Sequence, residues 1–323
     1  LEISADLRKT ALIIILARAG LSLDLNSLKK VGRPAVMMCF VPAMFEMAGC
    51  IIIAPYILGI SRIEAAVAGA VIAAVSPAVV VPRMLKLMET KYGTQKGIPQ
   101  MIMAAASVDD VFVIVFFTAF TSLAQGGSVS AASFIQIPVS IILGIALGII
   151  CGFALNSFFN IISTSDTSKV IILLSISYML TALENALEGI VPIASLLSIM
   201  AMGAVIFKLN AKTAQSIASR FAQLWIAAEI LLFTLVGAAV DIRYAASSFI
   251  GAVCVIAFAM VFRMIGVQVC LFKTILNKSE RLFTAFSYMP KATVQAAIGG
   301  VPLAMGLSCG NIVLTVAVTA ILI

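Results

Sequence analysis

Asp109 and Asp110 are adjacent carboxylates inside an apolar run, Ala104-Ala105-Ala106-Ser107-Val108-Asp109-Asp110-Val111-Phe112-Val113-Ile114-Val115. A run of roughly 20 apolar residues spans a bilayer as a helix. A charge at that depth costs about 3 kcal/mol on insertion scales, so two side by side mark a candidate site. Neighbouring carboxylates in a low dielectric do not both ionise easily, and the pair titrates as a coupled unit. A monovalent cation such as Na+ and a proton can then compete for the same oxygens of Asp110 and Asp109. Adjacent residues on a helix point about 100° apart. Only one therefore faces a cavity squarely, and the other meets a neighbouring helix. The alternative is a structural salt bridge or polar cluster.

Two further stretches carry helix breaks. Ala74-Val75-Ser76-Pro77-Ala78-Val79-Val80-Val81-Pro82 holds two prolines, and Tyr288-Met289-Pro290-Lys291-Ala292-Thr293-Val294-Gln295 sets a proline beside an ionisable residue. A mid-span proline removes a backbone hydrogen bond and frees a carbonyl. Such backbone is tolerated at membrane depth only against protein or a water-filled cavity, and transporters use broken helices to aim half-helix ends at a charged site. A packing kink is the plainer reading of either break. Glu46, in Met44-Phe45-Glu46-Met47-Ala48, and Arg263, in Val261-Phe262-Arg263-Met264-Ile265, each stand alone in an apolar span. A lone charge there is expensive, so a mutual ion pair is expected, holding two bundles together in one state and loosening in another. Arg18 with Asp24 reads as structural, and Glu184 with Glu188 as a solvated face. Glu229 is assigned no role.

Membrane-spanning helices must position these groups. The 323 residues are 62% hydrophobic, mean hydropathy is +1.17, and apolar runs recur along the whole length, as in a polytopic helical membrane protein. The formal charge of +7 does not point to nucleic acid, because the basic residues sit in short loops between spans. The chain has no histidine, which removes Ser-His and Cys-His catalysis and His-ligated metal sites, and leaves any pH response to carboxylates, lysine or cysteine. Six cysteines, Cys39, Cys50, Cys151, Cys254, Cys270 and Cys309, all fall in apolar runs and read as small buried residues, not disulfides or ligands. The first apolar run, Thr10 to Leu25, carries Arg18 and reads as a span and not a cleaved leader. The chain starts and stops at apolar segments, so a further span at either end is expected to be missing.

About eleven spans are expected, at roughly 8–26, 34–59, 64–88, 98–124, 134–158, 169–188, 190–207, 221–243, 247–272, 282–306 and 311–323. Fourteen of the 21 basic residues fall in one set of alternate loops, four in the other, and Arg18, Arg263 and Lys291 lie within spans; the bias puts the first set in the cytoplasm. Ala19-Gly20-Leu21-Ser22-Leu23-Asp24-Leu25 resembles Val236-Gly237-Ala238-Ala239-Val240-Asp241-Ile242 at an offset of 217. Under that offset Glu46 falls on Arg263 and the Ser76-Pro77 break falls beside Thr293. The two units have opposite topology by the loop count, an inverted repeat of the kind secondary transporters build around a midplane site. Residues 1–323 thus form one membrane domain, with repeat units roughly 8–124 and 221–323 and linking spans 134–207.

Ser-Pro-Ala-Val-Val-Val-Pro at 76–82, Gly97-Ile98-Pro99 with Ser107-Val108-Asp109-Asp110, and Pro290-Lys291-Ala292-Thr293-Val294-Gln295-Ala296-Ala297-Ile298-Gly299 together resemble the cation:proton antiporter superfamily, and within it the sodium/proton antiporters of the NHA type. The resemblance covers nearly the whole chain. It implies an all-α polytopic membrane protein with the inverted-repeat antiporter fold: two crossing discontinuous helices, a core (ion-transport) domain and a dimerisation domain. It further implies a homodimer whose core moves in an elevator-like way, in a plasma or bacterial inner membrane, with an organellar membrane as the alternative. Asp110 would be the principal cation and proton carrier, with Asp109 beside it. Ser76, Pro77 and Thr293 would lie at the helix crossing with Lys291 next to it, and Glu46 and Arg263 would form an ion pair. In related exchangers a basic residue in the span of Arg263 competes with the cation; an arginine does not deprotonate in a transport cycle.

The expected activity is exchange of Na+ or Li+ for H+ by alternating access, with no cofactor, no nucleic acid and no enzymatic step. The alternatives are a sodium-coupled solute symporter of inverted-repeat architecture, which the cluster Asp109, Asp110, Arg263 and Lys291 disfavours, and a non-transporting receptor or scaffold, which the broken helices disfavour.

Overall fold

A computed structural model of the chain describes residues 2–23, 32–126, 131–162, 164–187, 191 and 193–323. In chain order its helices are α1 (Glu2–Leu21), α2 (Arg33–Met38), α3 (Val41–Leu58), α4 (Arg62–Ala73), α5 (Pro77–Glu89), α6 (Ile98–Gln125), α7 (Ala131–Ile161), α8 (Asp166–Ala186), α9 (Ser195–Leu209), α10 (Ala211–Ala239), α11 (Ile242–Cys270), α12 (Lys278–Ser287), α13 (Thr293–Gly299), α14 (Val301–Ala304) and α15 (Gly310–Leu322). A 3-10 turn, Thr94–Lys96, precedes α6. No strand occurs among the described residues. Six helical segments among them are long and apolar enough to cross a membrane: Arg33–Leu58, Ile98–Gln125, Val139–Ile161, Asp166–Ala186, Ala211–Ala239 and Ile242–Cys270. Asp24 and Glu188, read from sequence as structural and solvated, lie outside the described residues.

The chain divides into two compact units. One comprises residues 1–24 and 126–235. Within it α9 packs on α7, α1 and α8, and Ser198 Oγ donates to the Gly144 carbonyl at 2.8 Å.

The other unit, residues 25–125 and 236–323, holds every candidate site residue. Its tightest pairing is α3 against α11, with α4 and α2 beside α3, α6 against α4, α5 and α2, and α15 against α11, α13 and α4. Local chemistry sets the helix starts. Gly59, at φ 66°, ends α3 in the left-handed conformation. Ser61 and Glu64 then form a reciprocal capping box that opens α4, satisfying two orphan donors. Asn277 and Glu280 do the same for α12. Two glycines allow α3 and α11 to touch. A Cβ on Gly49 would lie 2.9 Å from the Phe262 ring, and one on Gly266 would lie 2.9 Å from the Pro42 Cα.

Helices are interrupted where prolines fall, at the two breaks the sequence predicts and at one it does not. The span expected at 34–59 breaks at Cys39 and Phe40, because Pro42, near the start of α3, has no N–H to give the carbonyl of residue 38. The spans expected at 64–88 and 282–306 break at 74–76 and 288–292. The cysteines are unpaired. Cys39, Cys50, Cys270 and Cys309 are buried as expected, but Cys254 is exposed and Cys151 half-buried.

Candidate functional site

The breaks after α4 and α12 lie against each other, and their loose polar backbone groups find partners in the protein. Ser76 N–H donates to the Pro290 carbonyl at 2.9 Å, and Ser76 Oγ lies 3.5 Å from Thr293 Oγ1. Pro77 opens α5 and cannot bond the Ala73 carbonyl four residues back; Arg263 Nη1 takes that carbonyl at 2.5 Å. Arg263 Nε donates to the Tyr288 carbonyl, at the end of α12, at 2.6 Å. One guanidinium therefore sits on the C-terminal ends of both broken half-helices, where the helix dipoles are negative.

The same guanidinium meets Glu46. Arg263 Nη1 lies 2.5 Å from Glu46 Oε2, and Lys291 Nζ donates to that oxygen at 2.7 Å. Arg263 and Glu46 are fully buried. Arg263 Nη2 reaches toward Asp109 Oδ2 at 3.6 Å. Tyr288 is also fully buried; its ring stacks under the Arg263 guanidinium at 5.0 Å.

Asp109 and Asp110 sit near the middle of α6, buried, with Asp110 6% exposed and Asp109 not at all. Asp109 faces the first break, where Val75 N–H donates to its Oδ2 at 2.8 Å. Asp109 Oδ1 and Asp110 Oδ1 are both buried without a hydrogen-bond partner. So the structure brings Asp109, Ser76, Thr293, Lys291, Glu46 and Arg263 into one cluster, with Pro77 following Ser76 in the chain, and sets Asp110 next to Asp109 with its Oδ1 unclaimed. Two open carboxylate oxygens on one helix can take a proton or contribute to the shell of a monovalent cation. Among the described residues no group of three or more His, Cys, Asp or Glu side chains is gathered as for a tightly held metal.

Some of the network carries no role in the sequence reading. Tyr288 Oη donates to the Met38 carbonyl at 2.9 Å, the carbonyl that Pro42 leaves free. Gln295, fully buried, bonds the Ala74 carbonyl at 2.8 Å. Both lie in the quoted proline-lysine stretch. The signal for Tyr288 was a proline four residues beyond an unpaired carbonyl; for Gln295 it was a lone amide in an apolar run.

Two crossed helix breaks over buried carboxylates in an all-helical membrane chain define an ion-transporter fold of the sodium/proton antiporter type. The solved sodium proton antiporter MjNhaP1 from Methanocaldococcus jannaschii has that fold, matching 99% of this chain and 81% of its own with a TM-score of 0.83 at 18% identity. The family profile described as "Sodium/hydrogen exchanger, transmembrane" matches residues 2–323. Human sodium/hydrogen exchanger 9B2 is 32% identical over 336 residues, covering 99% of this chain and 61% of its own length. Human sodium/hydrogen exchanger 9B1 is 30% identical, covering 94% and 58%. The chain belongs to the transmembrane sodium/hydrogen exchanger family, and it spans about three fifths of the length of the curated relatives it matches.

Proposed function

We propose that the protein exchanges Na+ or Li+ for H+ across a membrane, with cation and proton competing for the Asp109–Asp110 pair by alternating access. The observation that carries this reading is the pair of buried oxygens, Asp109 Oδ1 and Asp110 Oδ1, that no protein donor claims. Glu46 Oε1 is unclaimed as well, but its carboxylate is held at the other oxygen by two bases; the aspartate oxygens are open to something that comes and goes.

Charge supports the same reading. In the cluster, the carboxylates Glu46 and Asp109 face two basic groups, Arg263 and Lys291, and Asp110 adjoins Asp109 in the chain. Glu46 is taken up by both bases, and Asp109 is held by Val75 N–H and the edge of Arg263. Asp110 has neither. With both bases protonated, one carboxylate charge is left over, and one Na+ or one proton neutralises it. A site carrying neither keeps a naked charge in a water-poor interior, which raises the barrier to its crossing. That penalty couples the outward and return movements and enforces exchange. Pro77 at the first turn of α5 directs the positive N-terminal end of that half-helix toward the break where Asp109 binds. The working form is read as a homodimer, with the unit holding the site as the moving core.

The test is proton movement in proteoliposomes on adding Na+, Li+ or K+ at several membrane potentials. Na+- or Li+-driven proton efflux is expected, insensitive to potential if a single charge is swapped. Folded protein that moves no protons in response to any of the three cations would overturn the reading.

A further inference from the structure

Gln295 is a fully buried amide on α13, where an unsatisfied polar group would be costly. Both of its ends are used. Its Oε1 accepts the Ala292 N–H at 2.9 Å, on the peptide that follows Lys291. Its Nε2 donates to the Ala74 carbonyl at 2.8 Å and toward the Ile72 carbonyl at 3.4 Å. The Ala74 carbonyl and the Val75 N–H are the two ends of one planar peptide unit, and that N–H donates to Asp109 Oδ2 at 2.8 Å. One side chain therefore links the break beside Lys291 to Asp109 through a single rigid group.

We propose that Gln295 is a positioning residue for Asp109, acting through the Ala74–Val75 peptide unit. The amide holds the plane of that peptide so that its N–H points at the carboxylate. It also polarises the peptide, and hydrogen bonds in series strengthen one another in a low dielectric. The N–H bond holds Oδ2 of Asp109, while Oδ1 is left without a protein donor. Gln295 itself touches neither cation nor proton. The significance for exchange rests on the reading of Asp109 as part of the cation and proton site; the relay itself does not.

The experiment is infrared spectroscopy of the Asp109 carboxyl band in the purified protein at one fixed pH, the band being assigned by its loss in Asp109→Asn. Gln295→Met keeps the volume and removes the donor, Gln295→Leu is the second donor-less variant, and Gln295→His keeps an N–H. The donor-less variants are expected to shift the frequency of the Asp109 band, because the hydrogen bond reaching the carboxylate through the peptide unit weakens, and the histidine variant to restore most of the shift. An unchanged band in a folded donor-less variant overturns the proposal even if transport falls, because Gln295 then only holds helices together. A histidine variant that restores nothing overturns it as well. In transport assays the donor-less variants should raise the half-maximal Na+ concentration several-fold and leave the rate at saturating Na+ unchanged. Wild-type protein that exchanges nothing would sink the functional reading alone, since the infrared band still decides the relay.

Discussion

Glu46 and Arg263 stand 217 positions apart and touch, and so do Ser76 and Thr293. Two positions related by an internal two-fold meet each other only near its axis, so these contacts run along that axis. The interval reaches further than the charged pair. Phe45 and Phe262, and Gly49 and Gly266, are separated by the same 217 residues, and each phenylalanine packs on the other helix's glycine. The axis thus passes between α3 and α11, and the positions 46 and 263, where the halves differ in charge, supply an ion pair at its centre.

Glu46→Gln should be strongly destabilising. It leaves the buried Arg263 and Lys291 without their shared carboxylate. Breaking one side of a buried pair costs about 3–5 kcal/mol. Thermal unfolding in detergent should show a large fall in midpoint, and adding Lys291→Met should recover part of it, since one fewer cation is stranded. A Glu46→Gln protein as stable as wild type would contradict this.

Tyr288→Phe tests the carbonyl that Pro42 frees. The hydroxyl is lost while the backbone carbonyl still accepts from Arg263, so the Met38 carbonyl is left buried and unpaired. The expected cost is about 1–3 kcal/mol, with the half-maximal Na+ concentration for exchange unchanged. A large change in cation dependence at wild-type stability would place Tyr288 in the ion path instead.

Gly266→Ala and Gly49→Ala separate rigid from yielding contacts. The new Cβ at 266 meets the Pro42 backbone, whereas the one at 49 meets ring atoms of Phe262 that can turn aside. Overpacking against backbone costs about 1–3 kcal/mol, so Gly266→Ala should unfold at clearly lower temperature than Gly49→Ala. The reverse order would mean that α3 and α11 separate more readily at the proline end.

Much of this was legible in the sequence, for identifiable reasons. Apolar runs mark helices because a bilayer admits little else, and prolines at 77 and 290 mark the breaks. The conspicuous charges are legible because an intramembrane charge is costly wherever it occurs. The kink ahead of Pro42 was missed because apolar residues flank it and hydropathy does not register a missing N–H. Gln295 was missed for the opposite reason: its role depends on the Ala74 carbonyl, 221 residues away in the chain, and no local pattern carries that. The repeat was visible at Glu46 and Arg263, but Phe45 and Gly49 look like ordinary span residues until α11 is seen packed against α3.

Glu280 provides a pH control outside the membrane. Lys96 Nζ lies 2.8 Å from its carboxylate; the bond from that ammonium, and then the Asn277 N–H, hold the Glu280 carboxyl below its ordinary value of 4.5. A lowered value means that the contribution to stability is complete above the ordinary value and is lost as pH falls through the lower one. Nothing about this group changes near neutrality. Glu280→Gln should therefore leave the shape of the pH profile of exchange between about pH 6 and pH 9 as it is. Faster amide exchange at the start of α12 is expected in the same variant, with the difference from wild type vanishing in strong acid. A displaced transport profile would mean that the Lys96–Glu280 contact senses pH.

Asp110→Asn decides whether the open carboxylate is the carrier. Asparagine keeps the size and one carbonyl oxygen but neither binds a proton nor supplies a charge to Na+. Asp110 has no protein partner at Oδ1, so the substitution breaks no contact of that oxygen and stability should hold or rise, the unpaired buried charge having been removed. Exchange should fall to the level of empty liposomes. The Asp109 equivalent behaves differently in prospect, because Asp109→Asn weakens the bond from Val75 and the attraction of Arg263 and should lose stability along with activity. The contrast is the informative part. Proton flux lost with the unfolding temperature unmoved or raised assigns the transported charge to Asp110, whereas a folded Asp110→Asn that still exchanges Na+ for H+ would leave Asp109 to carry the cycle alone.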